Sequence, residues 1–293
     1  MSRARLLTCV ILATAAAAAC ILGSIILADG STSLPIQSRV WQYDPSAEPV
    51  SITAADGAIL RAACFHPLSD EPRGAVIVLH GVGDHGYSMT GLANLLTAQG
   101  YIVLAPDSRA HGGSGGERIT YGVLERHDIA RWIAWLDENY HPQAFYGYGA
   151  SLGGATLIQS LNEVKPRFHA IVAECPFANF HTVAYDRLSQ IVGVPRPFFA
   201  PVVEPALLYA RMRYGVDLDE ANPEEVLRDS QTPVLLIHGT ADANIPISHS
   251  RRLHAANPKF TELWEIEGAH HVDAWHRAGR EFERRVIAWF ASH

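Results

Sequence analysis

The sequence predicts an α/β fold: a mainly parallel, twisted sheet with helices on both faces and a helical cap inserted over one end. Short apolar runs recur at residues 75–79, 102–105, 144–148, 170–173 and 234–237. They are apolar or aromatic throughout instead of alternating, as suits strands buried on both faces. Helical patterns near 90–99, 121–138 and 152–163 separate them, and that alternation points to parallel strands joined by crossover helices. One stretch breaks the rhythm. From about Phe177 to Ser230 no strand is evident, and Pro195, Pro197, Pro201 and Pro205 punctuate aromatic and aliphatic clusters. It is too long for a bare connection, which makes 177–230 the expected cap.

From the N-terminus, Arg3 and Arg5 precede an uncharged stretch at 6–28, longer than the ~20 residues that a bilayer core of about 30 Å requires. A cleaved signal peptide usually has a shorter apolar region and a small-x-small site; Ile26 before Ala28 fits that site poorly. Residues 1–29 are therefore expected to be a retained membrane anchor, with cleavage and a buried helix as alternatives. Ala17-Ala18-Ala19-Cys20 is a weak lipoprotein-like site. The positive flank predicts a cytoplasmic N-terminus and an exported body, membrane-held or, after cleavage, secreted. Residues 30–47, with Pro35, Pro45 and several Ser, read as a linker to one domain at 48–293. Two alternating segments, 50–53 and 59–65, flank Asp56-Gly57, a hairpin signal.

The composition narrows the function. A chain of 293 residues, 48% hydrophobic and 18% charged, is too apolar for disorder and long enough for a sizeable core. Lys+Arg 23 against Asp+Glu 30 gives −7 with no basic stripe, so no nucleic-acid partner is expected. Cys64 and Cys175 are the cysteines of the body; two buried thiols are the expectation, a disulfide the alternative. There are 15 histidines, yet no H-E-x-x-H or C-x-x-C spacing, and no dinucleotide fingerprint follows the first strand of the repeat. Neither metal nor cofactor is expected.

Gly149-Ala150-Ser151-Leu152-Gly153 follows one expected strand and opens a helix. A sharp strand–turn–helix strains its central residue, and flanking glycines remove the Cβ atoms that would clash, so a serine there projects above the sheet edge. The helix N-terminus offers Leu152 N–H to a developing oxyanion. Gly112-Gly113-Ser114-Gly115-Gly116 fits the same G-x-S-x-G pattern, but no strand enters it and no helix begins there. Ser151 is the candidate nucleophile. It needs a base, and the base an orienting carboxylate. Asp242 follows the 234–237 strand, and His270-His271 follow 263–266, giving the chain order Ser, Asp, His of an α/β-hydrolase. Glu174, also at a strand end, is the competing acid. Adjacent loop histidines generally point apart, so one of the two serves.

These motifs resemble the serine aminopeptidase S33-like, or Bem46-like, serine hydrolases of the α/β-hydrolase superfamily, over most of residues 50–293. Gly268-Ala269-His270-His271 matches a final Gly-Ala-x-His, which implies His271 as the base. His80-Gly81-Val82-Gly83 resembles the oxyanion loop, implying that Val82 N–H joins Leu152 N–H, with His80 structural. The segment Asp107-Ser108-Arg109-Ala110-His111-Gly112-Gly113-Ser114 resembles the family's Asp-x-Arg-Gly-His-Gly-x-Ser, with Ala110 at a usual glycine. Tyr121-Gly122, Glu125 and Asp128 match residues that are usually structural. The resemblance implies a serine hydrolase acting on an ester, thioester or amide of a small-molecule or peptide acyl substrate, carboxylesterase-like first. An acyltransferase with the same triad and a membrane-tethered binding protein are the alternatives.

Overall fold

A computed structural model describes residues 3–33, 41–164 and 168–293. Its strands are β1 (Glu48–Thr53), β2 (Ile59–Phe65), β3 (Ala75–Leu79), β4 (Ile102–Pro106), β5 (Phe145–Ala150), β6 (Ala170–Glu174), β7 (Val234–Gly239) and β8 (Thr261–Ile266). They form one sheet in the order β1-β2-β4-β3-β5-β6-β7-β8. β2 runs antiparallel to both β1 and β4, and every later pairing is parallel. The helices are α1 (Arg3–Thr32), α2 (Thr90–Ala98), α3 (Glu125–Tyr140), α4 (Leu152–Ser160), α5 (Phe180–Val192), α6 (Ala200–Tyr214), α7 (Pro223–Asp229), α8 (Ser248–Ala256), α9 (Ala274–Ala278) and α10 (Arg280–Ser292).

The unbroken apolar runs have a direct use. Successive strand side chains point to opposite faces, so both faces of β3 need apolar cover. Ile77 and Leu79 pack with Trp132 and Ile133 of α3 and Leu157 of α4. Val76 and Val78 pack with Leu92 and Leu96 of α2 and with Phe282, Val286 and Phe290 of α10. The expected α/β fold, sheet between helical layers, is the one observed.

Several boundaries differ from expectation. The helix expected from 121 begins at Glu125, because the Glu125 carboxylate accepts the Thr120 and Gly122 amides (2.8 Å each) and holds those residues in a turn. The strand expected at 144–148 continues to Ala150, up to the turn at Ser151. The expected linker begins too early: α1 continues to Thr32, whose carbonyl accepts Ile119 N–H at 2.9 Å. Residues 34–40 of that linker lie outside the described residues. The proline-punctuated segment resolves into α5 and α6, bent by 101° around Pro195 and Pro197, whereas Leu227 of α7 packs with the sheet flank. Cys64 and Cys175 are free and buried. One lies on β2 and the other just past β6, four strand spacings away, and at about 4.8 Å each that is far beyond disulfide reach.

The loop after β4 is pinned by a buried ion pair. Arg109 Nε and Nη2 donate to the two Asp128 oxygens at 2.8 Å each, and Nη1 reaches half-exposed Asp56 in the β1–β2 turn. Asp128→Ala would leave a buried guanidinium with that one partner. Removing one member of such a pair costs about 3–5 kcal/mol, so the thermal midpoint is expected to fall by roughly 6–20 °C. An unchanged midpoint in a calorimetric scan would contradict this role.

Candidate active site

β5 and α4 leave one residue between them, and it is Ser151. Its φ of +54° and ψ of −114° are unfavourable for a residue with a Cβ. The neighbours make the turn possible. A Cβ at Gly149 would lie 2.4 Å from the Gly153 carbonyl carbon, and one at Gly153 would lie 2.5 Å from Leu79 O. Ser151 N–H donates to Glu174 O at 2.7 Å, fastening the turn to β6.

The loops after β7 and β8 meet the serine. Asp242 Oδ1 accepts the amides of Asn244 (2.8 Å) and Ile245 (2.9 Å), which aims Oδ2 at His271 Nδ1, 2.7 Å away. His271 Nε2 stands 2.9 Å from Ser151 Oγ. With Nδ1–H donating to the carboxylate, Nε2 is left as the acceptor facing the hydroxyl. Burial opposes ionisation of Asp242, but hydrogen bonds from His238 and His271 outweigh it and hold the carboxyl well below the usual range. The two loops are pressed together at Gly239, where a Cβ would lie 2.2 Å from Ala269 O.

Above this line lies a cavity of about 470 Å³, within the usual range for small-ligand sites. Ser151, His271, Gly81, Val82 and Leu152 form its floor, and Phe177, Phe180, Val183, Leu188, Val203 and Leu207 supply apolar walls. Ala150 and Leu152 flank the serine, and the first amides of α4 have no intrahelical acceptor. Val82 is half exposed to the cavity side of its loop.

The profile of the serine aminopeptidase S33 family matches residues 70–226. The chain belongs to this family. It is similar to YqkD of Bacillus subtilis, 25% identical over 224 residues, covering 76% of this chain and 72% of that protein. It is also similar to a monoacylglycerol lipase of Mycolicibacterium smegmatis, 25% identical over 259 residues and covering 76% and 90% respectively. Among solved structures, the Pyrococcus furiosus esterase Pf2001 matches with a TM-score of 0.71 at 24% identity, covering 89% of this chain and 98% of that one. This S33-family member is an α/β-hydrolase enzyme.

The other residues singled out in the sequence lie elsewhere. His270 is exposed and its Nδ1 is 3.2 Å from Ala241 O. Glu174 is wholly buried and accepts Tyr148 Oη and Ala274 N–H. Burial raises its pKa, and it contacts β5 and α9 instead of the imidazole. Ser114 Oγ accepts Arg61 N–H (2.8 Å) and donates to Asp107 O (2.7 Å), stitching the glycine-rich loop to β2. Ala110 adopts φ +60°, the left-handed conformation for which glycine is usual, and its N–H still donates to Gly115 O at 2.8 Å.

Two buried histidines brace the Gly81–Gly83 turn. His80 Nε2 accepts Ser108 N–H (3.0 Å), and its Nδ1 donates to Gly81 O (2.7 Å). His111 Nε2 accepts Gly83 N–H (3.2 Å), and its Nδ1 donates to Arg109 O (2.9 Å). Burial, with His111 beside it, lowers the His80 pKa to about 3, so the ring stays neutral. His111 and His238 were not among the expected functional residues. His238 ends the apolar β7 run four residues before Asp242, and its Nε2 lies 3.3 Å from that carboxylate. Cys175, His238 and Asp242 offer atoms within 4.8 Å of one another. Both His238 nitrogens bond to Ile245 O and Ser250 Oγ, and burial pushes the Cys175 thiol up. Cys175 and His238 thus pack against the buried side of the Asp242 carboxylate.

Proposed function

We propose that this S33-family enzyme is a carboxylester hydrolase with Ser151 as nucleophile, His271 as general base and acid, and Asp242 as the group that orients the imidazole. The single observation that carries the reading is the Ser151–His271–Asp242 hydrogen-bond line, 2.9 and 2.7 Å, at the floor of an apolar cavity. As Ser151 Oγ attacks the ester carbonyl, its proton passes to His271 Nε2, and the Asp242 carboxylate stabilises the imidazolium. Val82 and Leu152 N–H groups receive the oxyanion. Collapse expels the alcohol, which leaves with the proton from His271. Water then attacks the acyl-enzyme, giving up its proton to His271, and collapse breaks the Ser151 Oγ–acyl bond as His271 returns that proton to Oγ and the acid departs. The apolar walls suit an acyl chain, and the similarity to a monoacylglycerol lipase favours an ester over an amide. Residues 48–293 act as one catalytic unit capped by α5 and α6. Residues 6–28 of α1 anchor it in the membrane with the body on the extracytoplasmic side.

A fluorophosphonate should label the full chain at Ser151 and leave Ser151→Ala unlabelled. Ester turnover should exceed that of matched thioesters and peptides. Absence of labelling in folded protein would sink the hydrolase reading, and products carried mainly by added alcohols would make it a transferase.

A further inference from the structure

The C-terminal turns of α1 are built into the enzyme. Ala28 is buried against Val203, Ala206, Leu207 and Ala210 of α6, and Gly23 lies close enough that a Cβ would meet Val202 at 3.7 Å. The helix end is tied to the loop before α3. Tyr121 Oη donates to Ser31 O (2.6 Å) and Ile119 N–H to Thr32 O (2.9 Å). The Arg118 guanidinium donates to Thr32 Oγ1 (3.0 Å) and stacks 3.5 Å over Tyr214. Leu27, Ala28 and Ser31 thereby line the cavity that holds Ser151. Leu22 and Ile26, turned away from Ala28 and Ser31, are exposed, and Ile21, two turns before Ala28, is exposed as well. Leu12–Thr32, with mean hydropathy 1.9, is long and apolar enough to cross a membrane.

A cleavable leader has no reason to carry a wall of the substrate cavity. We infer that the Leu27–Ser31 turn of α1 is a specificity-determining wall of the acyl pocket, retained in the working enzyme, and that the substrate is a long-chain acyl ester taken from the bilayer that α1 enters. This rests on the hydrolase reading above. One helix does both jobs. Its outward face meets lipid while its inward face closes the pocket, so an ester already in the bilayer reaches Ser151 alongside the anchor. Each methylene of the chain that enters the pocket buries further apolar surface, so narrowing this wall penalises long chains far more than short ones.

The test uses full-length protein in phospholipid vesicles with p-nitrophenyl butyrate and palmitate. Leu27→Trp and Ser31→Phe narrow the wall, and Ile26→Trp on the exposed face is the control. Palmitate kcat/KM is expected to fall at least about tenfold in both wall variants, with butyrate within roughly threefold of wild type and the control unchanged. Palmitate presented within the vesicles should be turned over faster than the same ester carried on albumin. Binding of a fluorescent long-chain fatty acid reads the wall without turnover and should weaken at least about fivefold in the wall variants only. Equal losses on both esters, an unaltered fatty-acid titration, or a purified active chain whose mass lacks α1 would overturn the inference. The hydrolase reading would fail differently, with wild type cleaving neither ester and resisting the fluorophosphonate.

Discussion

Replacing Ser151 by alanine is expected to lower kcat by at least about 10³-fold, while Ser114→Ala changes it by less than about tenfold. Both serines sit in a G-x-S-x-G sequence and both are buried, so neither motif nor exposure separates them. What separates them is the partner of each hydroxyl. Ser151 Oγ faces an imidazole nitrogen at 2.9 Å and opens on the cavity. Ser114 Oγ is spent on backbone groups of β2 and of Asp107 and not on an imidazole. Losing that hydroxyl removes hydrogen bonds of about 0.5–1.5 kcal/mol each. The effect of Ser114→Ala therefore belongs in a melting curve, not in turnover. Steady-state rates on one ester, beside thermal midpoints for both variants, check this; equal kcat losses would reassign the nucleophile.

How much of this was legible in the sequence depends on how local each signal is. The parallel strands were legible because burial on both faces forces an unbroken apolar run, as in Ala75–Leu79. The sharp turn at Ser151 was legible because close packing at Gly149 and Gly153 tolerates no Cβ. α10 was missed although Phe282, Val286 and Phe290 recur every fourth residue, because charged residues interrupt the apolar letters. The cap helices were hidden by prolines that bend the segment without ending it, Pro205 lying inside α6. His111 braces Gly83 from 28 residues away, and no spacing rule links the two; His238 lies four residues before Asp242, but at the end of an apolar run it carries no motif of its own. The seating of α1 on α6 was illegible for a different reason. Gly23 and Ala28 suit close helix packing, but within an apolar run they look the same as residues facing lipid.

The register of the final loop gives the second large effect. His271→Ala is expected to abolish turnover, with general-base assistance alone worth about 10²–10⁴, while His270→Ala retains at least roughly a tenth of wild-type kcat. The two side chains diverge from adjacent positions. His271 lies between Asp242 Oδ2 and Ser151 Oγ, while the exposed His270 ring has Ala241 O as its neighbour. Gly268 at φ +68° and Val272 at φ +53° bend the loop on either side of the pair, which turns one imidazole inward and the other to solvent. Fluorophosphonate labelling separates chemistry from folding here. It should collapse in His271→Ala although Ser151 remains, because an unassisted hydroxyl is a weak nucleophile, and it should persist in His270→Ala. A loss confined to His270→Ala would reverse the assignment. Matching losses with lowered melting points would mean that the loop itself had collapsed. Asp242 adds a further constraint, since its Oδ1 is already committed to two backbone amides. His238 and His271 both approach Oδ2, and among the described residues it is the His271 ring that also reaches Ser151 Oγ.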